Sequence, residues 1–124
     1  SFIFNTEISN GDKPISLVNF ELAGLRSNEL PTLTIKGGDV RNIIAIYVDT
    51  SLEQNVFDSY VIEIQNNGEL ILKIESLKLD ENEQLVFELK NSELVKDKYN
   101  FVLSARDSNK EKIILKSGIL SIIK

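Results

Sequence analysis

Cysteine, histidine, methionine and tryptophan are all missing from this sequence, and proline occurs only twice. Without cysteine there is no disulfide, no thiolate nucleophile and no sulfur ligand for a metal. Without histidine the usual general base near neutral pH is gone, together with the commonest ligand of zinc, copper and iron. A Ser-His-Asp arrangement cannot be assembled, and no serine stands in the glycine-flanked elbow that a nucleophilic serine uses. Gly37-Gly38 is a lone pair followed by a strand-like run, which suits a tight turn better than a phosphate-binding loop. No apolar run approaches the roughly 20 residues that span a bilayer. Ser1-Phe2-Ile3-Phe4 lacks the basic region and long apolar stretch of a signal peptide. Ser1 is small enough to follow a removed initiator methionine, which fits a cytoplasmic product, as it would an excised domain.

Acidic residues outnumber basic ones 19 to 14, for a net charge of −5. Binding to nucleic acid through phosphate neutralisation calls for the opposite sign and a clustered basic face, and here the lysines are spread singly. The reading is therefore of a chain with no nucleic-acid, membrane or cofactor partner. At 124 residues with 42% hydrophobic and 27% charged composition, it is read as one globular domain over 1–124.

The strongest positive signal is alternation at period 2. Tyr60, Ile62 and Ile64 share one side of a strand, and Asn66-Asn67-Gly68 marks a hairpin turn. Leu70, Leu72 and Ile74 follow, then Leu85, Phe87 and Leu89, then Tyr99, Phe101, Leu103 and Ala105. Between Ile74 and Leu77 the parity slips, which implies a bulge or a new strand. Val18, Phe20 and Leu22 form an earlier run, and Leu33 with Ile35 a short one. Val40 to Val48 is apolar on both faces, as befits a strand that is covered on both sides or meets a partner on its outer face.

Turn residues recur at Asn10-Gly11-Asp12-Lys13-Pro14, Lys36-Gly37-Gly38-Asp39 and Asp107-Ser108-Asn109-Lys110. A single helical turn is expected near Asn91 to Leu94, capped by Asn91 or Ser92. Gly118 is expected to mark a bend in the last strand. The whole pattern predicts an all-β fold, an antiparallel, immunoglobulin-like β-sandwich of about seven to nine strands.

Carboxylates remain the one source of chemistry. Glu63, Glu69, Glu75, Glu81, Glu83 and Glu88 are numerous, but no two stand out as a pair facing each other across a cleft. Asp80-Glu81-Asn82-Glu83 and Asp107-Ser108-Asn109 offer oxygen ligands without the spacing of a calcium loop, and Asx turns account for both. The chain is read as a non-enzyme. Phe20, Phe87, Tyr99 and Phe101 fall on apolar strand faces and are assigned to the core. Tyr47, Phe57 and Tyr60 are the aromatic candidates for contact with a partner, and Ile119 and Ile122 join them from the C-terminal apolar run. Core packing is the alternative use of each.

One family resemblance enters through the segment 68–123. It carries Gly68-Glu69-Leu70-Ile71-Leu72, Glu83-Gln84-Leu85-Val86-Phe87-Glu88-Leu89, Lys98-Tyr99-Asn100-Phe101-Val102-Leu103, Asp107-Ser108-Asn109-Lys110 and a closing strand through Gly118. This segment resembles the small β-sandwich domains of tailed-bacteriophage structural proteins, such as the N-terminal domain of the baseplate upper protein. Gly11-Asp12-Lys13-Pro14-Ile15-Ser16-Leu17 resembles that family's early turn and strand. Asp97 stands where the family has glycine before Lys98-Tyr99, and Asn109-Lys110 where it has Asp-Gly. The resemblance implies a virion component of the tail, baseplate or capsid surface, assembled in the host cytoplasm. Such a component packs against copies of itself as a homo-oligomer, or against other virion proteins. An extracellular module that binds carbohydrate or protein is the alternative reading.

Overall fold

The computed structural model describes residues 14–22, 30–48 and 57–123. Eight strands lie within them: β1 (Ile15–Leu22), β2 (Thr32–Lys36), β3 (Arg41–Val48), β4 (Ser59–Asn66), β5 (Glu69–Leu77), β6 (Gln84–Leu89), β7 (Lys98–Arg106) and β8 (Lys112–Ile123). They form a three-stranded sheet in the order β1-β3-β6 and a five-stranded sheet in the order β2-β8-β7-β4-β5. The turn Asn10 to Lys13 and most of the loop from Thr50 lie outside the described residues.

The β-sandwich expected from the sequence is present, with one difference in its pairing. β1 runs parallel to β3 and β2 parallel to β8, so both sheets are mixed rather than antiparallel throughout. Period-2 alternation orients side chains but carries no information on strand direction, and these two pairings join strands distant in the chain.

Where neighbouring strands are joined by tight turns, local chemistry dictates the register. Asn67 (φ 52°) and Gly68 (φ 84°) both occupy the left-handed region, as the two-residue hairpin between β4 and β5 requires. The parity slip in β5 is a bulge. Tyr60 faces Leu77 and Ile62 faces Ile74, leaving Glu75 and Ser76 opposite Val61, with Ser76 at φ 60°.

The interior is built from alternate residues of both sheets. Ile44, Ile46, Val48, Leu85 and Leu89 come from the narrow sheet and meet Ile35, Ile62, Ile64, Phe101, Leu103 and Leu120 of the wide one. Phe20 of β1 stands edge-on to Phe101, with ring centroids 6.1 Å apart. Burying such side chains contributes roughly 1.5–3 kcal/mol each and is the main source of stability in a chain with no disulfide.

Gly118 does not bend β8, which runs unbroken from Lys112 to Ile123. The irregularity falls instead at Leu115, bulged out between the pairs Leu103–Lys116 and Ser104–Ile114. Gly118 lies opposite Phe101 because the phenyl ring occupies the space where a side chain would stand.

Candidate interaction surface

Two turns share one design, and it accounts for both acidic segments. In the β6-entering turn, Asp80 Oδ1 accepts hydrogen bonds from the backbone N–H groups of Asn82 (2.8 Å) and Gln84 (3.0 Å). In the β7–β8 turn, Asp107 Oδ1 accepts from Asn109 (2.9 Å) and Glu111 (3.1 Å) in the same pattern. The fourth residue of each turn, Glu83 or Lys110, is left-handed at φ 61° or 67°. One carboxylate oxygen of each aspartate thus organises its own turn, the Asx use expected from the sequence. The position held by Lys110 is one glycine adopts without the Cβ clash that opposes this conformation. Lys110→Gly and Glu83→Gly are each expected to raise stability by about 0.5–1 kcal/mol. Unchanged or earlier urea midpoints would contradict that assignment.

At the opposite end, one asparagine pins two connections together. The short 3-10 turn Asn91–Glu93 forms where a helical turn was expected, but no side chain caps it. Asn91 instead reaches across the sandwich. Its Nδ2 lies 3.0, 3.1 and 3.3 Å from the carbonyl oxygens of Lys36, Gly38 and Val40. Its Oδ1 accepts a 2.9 Å hydrogen bond from Asn42, whose Nδ2 also donates to the Lys36 carbonyl at 2.8 Å. Sequence reading missed this role because the two asparagines are 49 residues apart. Beside it lies an open cleft of about 850 Å³ with apolar walls from Val40, Leu94, Val95 and Ile122 and charges from Arg41, Glu88 and Lys90.

Arg41 and Glu88 form a two-pronged ion pair across β3 and β6. Nε and Nη2 of Arg41 reach the two carboxylate oxygens of Glu88 at 3.1 and 2.9 Å. Hydrogen bonding to Arg41 holds the Glu88 carboxyl below the ordinary glutamate value; partial burial opposes this, and the charges of Arg41 and Lys90 reinforce it. Because the folded-state value is depressed, the pair stabilises the fold above the ordinary glutamate range. That contribution fades as pH falls through the folded value. An NMR titration is expected to place the Glu88 midpoint below that of an exposed glutamate, and Arg41→Met to return it. A midpoint indifferent to Arg41→Met would contradict the cause.

Other acids singled out in the sequence are distributed rather than convergent. Glu63 pairs with Lys112 at 3.1 Å, and Glu75 with Lys73 and Arg106 at 3.6 and 3.4 Å. All of these lie on the outer face of the wide sheet. Each of these two carboxylates has a cationic partner: Glu75 is solvated, where such pairs contribute little, and Glu63 is buried, where Lys112 offsets the cost of its charge.

The five candidate contact residues separate into two groups. Tyr60 and Ile122 are only 4% and 5% exposed and belong to the interior. The alternation that places Ile62 and Ile64 inward places Tyr60 inward with them. Phe57, half-buried, stands edge-on to Tyr60 at 6.0 Å and packs on the same core. Tyr47 and Ile119 are half-buried on outer faces, Tyr47 on the narrow sheet and Ile119 on the wide one.

Around Tyr47 the outer face of the narrow sheet is apolar. β3 alternates between buried residues and the half-exposed Arg41, Ile43, Ala45 and Tyr47. Register places Leu17 of β1 and Glu88 of β6 on either side of Ile43, and Asn19 and Val86 on either side of Ala45. Ile15, Leu17 and Val86 are 56%, 74% and 50% exposed. The run that is apolar on both faces in the sequence is therefore a strand with one side in the core and the other open. The outer face of the wide sheet is mixed: Thr32, Thr34, Lys36, Lys98, Asn100 and Ser117 are exposed together with Ile114 and Ile123, while Val61, Glu63 and Ser104 are buried there.

These features define a two-layer sandwich of mixed sheets whose distinctive surface is a face rather than a cleft of reactive groups. No protein-family model matches the sequence, and no curated protein does. Among solved structures, the fold is similar to the N-terminal domain of ORF48 of phage TP901-1. The TM-score is 0.57 and the identity 10%, over 90% of this chain and 99% of that one. The sequence resemblance to phage sandwich domains and this likeness of fold agree; at 10% identity the likeness is one of fold alone.

Proposed function

We propose that the chain is a non-enzymatic structural or accessory component of a tailed-bacteriophage particle, acting through packing against other virion proteins or copies of itself. The observation that carries this reading is the match in fold to a phage domain over nearly the whole of both chains. Three further features support it. The sequence has no histidine or cysteine, its best-placed carboxylates are engaged by cations or by their own turns, and an apolar sheet face is open to a neighbour.

A carbohydrate-binding module would display aromatic rings as sugar platforms. Among the described residues no aromatic side chain is fully exposed, and Tyr47 is the one half-exposed on an outer sheet face, which gives that reading little support.

Quantitative mass spectrometry of purified particles from the source strain tests the proposal. The chain is expected in the particle fraction at a fixed ratio to the tail or capsid proteins. Recovery only outside particles, or tight glycan binding by a free monomer, would contradict it.

A further inference from the structure

We infer that the outer face of β1-β3-β6 is a self-pairing surface, taken by the same face of a second copy turned end for end. Four of the six positions in its two middle rows are apolar, Leu17, Ile43, Ala45 and Val86; Asn19 and the Arg41-paired Glu88 are the other two. Exposed apolar surface gathered on one face is the usual composition of a contact site.

The distribution of charge selects the occupant. At the end where β3 begins stand Arg41 and Lys90, with Glu88 offsetting one of the two positive charges. At the other end Glu21 lies beside Tyr47, and the acidic turn 80–83 joins there through the hydrogen bond from Val48 N–H to the Glu83 carbonyl. Each face is thus positive at one end and negative at the other. A two-fold axis in the plane of the face and across the strands lays β3 antiparallel over β3 of the second copy. Ile43 then meets Ala45 of the second copy, and the Arg41–Lys90 end meets its Glu21 end. An axis along the strands would superpose like ends, which electrostatics disfavours.

Three strands about 4.8 Å apart and eight residues long at about 3.3 Å each give a face of roughly 14 by 26 Å. That is about half or less of the ~800 Å² per partner of a standard interface. An isolated pair is therefore weak and reversible, a contact that becomes durable when repeated in an assembly.

Sedimentation equilibrium of the full chain tests the pairing, from about 10 µM to about 1 mM in low salt, the range in which a contact of this size populates. The weight-average mass is expected to rise from 14.0 kDa towards twice that value with concentration, and to rise less in high salt. Leu17→Lys and Val86→Lys, both at exposed positions, are expected to hold the chain at the monomer mass with unchanged circular dichroism. Gln84→Lys, which the axis places over Lys90 of the second copy, weakens pairing at least severalfold, and adding Lys90→Glu restores it. A wild-type monomer at every concentration, association indifferent to Leu17→Lys and Val86→Lys, or failure of the double reversal would each overturn the inference. The pairing stands apart from the virion reading: a monomeric chain overturns the pairing alone, and absence from particles overturns the virion role alone.

Discussion

Gly118→Ala is expected to destabilise the fold by about 3 kcal/mol, the upper part of the range for forcing one carbon into a packed interior. A Cβ at this position would lie 2.4 and 2.5 Å from Cε2 and Cζ of Phe101 and 2.6 Å from the carbonyl oxygen of Pro31. Neither neighbour can withdraw cheaply. Phe101 is fully buried and held edge-on by Phe20. Pro31 O accepts the 2.8 Å hydrogen bond from Ile119 N–H, which helps to seat β2 beside β8. Urea denaturation measures the loss, and Phe101→Leu in the Gly118→Ala background is expected to recover part of it. That recovery is the coupling expected of residues in direct contact. A loss below about 1 kcal/mol would mean that β8 shifts away from the ring without cost.

Asn91→Asp should be almost as damaging, for an electrostatic reason. The amide Nδ2 that faces the carbonyls of Lys36, Gly38 and Val40 becomes a carboxylate oxygen facing the same three acceptors. Donated hydrogen bonds are replaced by repulsion, at a cost of about 2–3 kcal/mol near neutral pH. For a domain of this size that corresponds to a fall in Tm of about 10 °C. Surrounding carbonyls favour the protonated acid, so the introduced carboxyl has a folded-state value above its unfolded one. The variant therefore regains stability as pH falls through that folded value, and its deficit relative to wild type shrinks. Parallel urea titrations at pH 7 and pH 4 check this. A deficit equal at both, or larger in acid, would show that the carbonyl cluster does not depend on the Asn91 amide.

Much of this structure was legible in residue order, and the reasons are local. The Asn67-Gly68 turn, the bulge that realigns Leu77, and the inward rows of β4, β6 and β7 all follow from side-chain period and turn chemistry. So does the Asx role of Asp80 and Asp107, which needs only neighbours within four residues. What escaped was long-range. The parallel pairings β1–β3 and β2–β8, the Asn42–Asn91 link and the contact between Gly118 and Phe101 all join positions far apart in the chain.

The candidate surface was half legible. Val40 to Val48 pointed to a strand apolar on both faces, and its outer side is open as one of the two readings required. Leu17 and Val86, the most exposed apolar residues in the middle of that face, were missed. Each looked like an ordinary strand residue until the register set them beside Ile43 and Ala45. Tyr60 and Ile122 were drawn in by residue type, although their own alternation placed them in the core.

The central claim is that this domain acts through a face and not through reactive side chains. A cryo-electron microscopy reconstruction of the particle, at a resolution that separates side chains, tests it most directly. The claim predicts the chain at symmetry-related positions with the outer face of β1-β3-β6, and Leu17 and Val86 in particular, buried against protein. A chain absent from the particle, or one present with that face bathed in solvent, would contradict it.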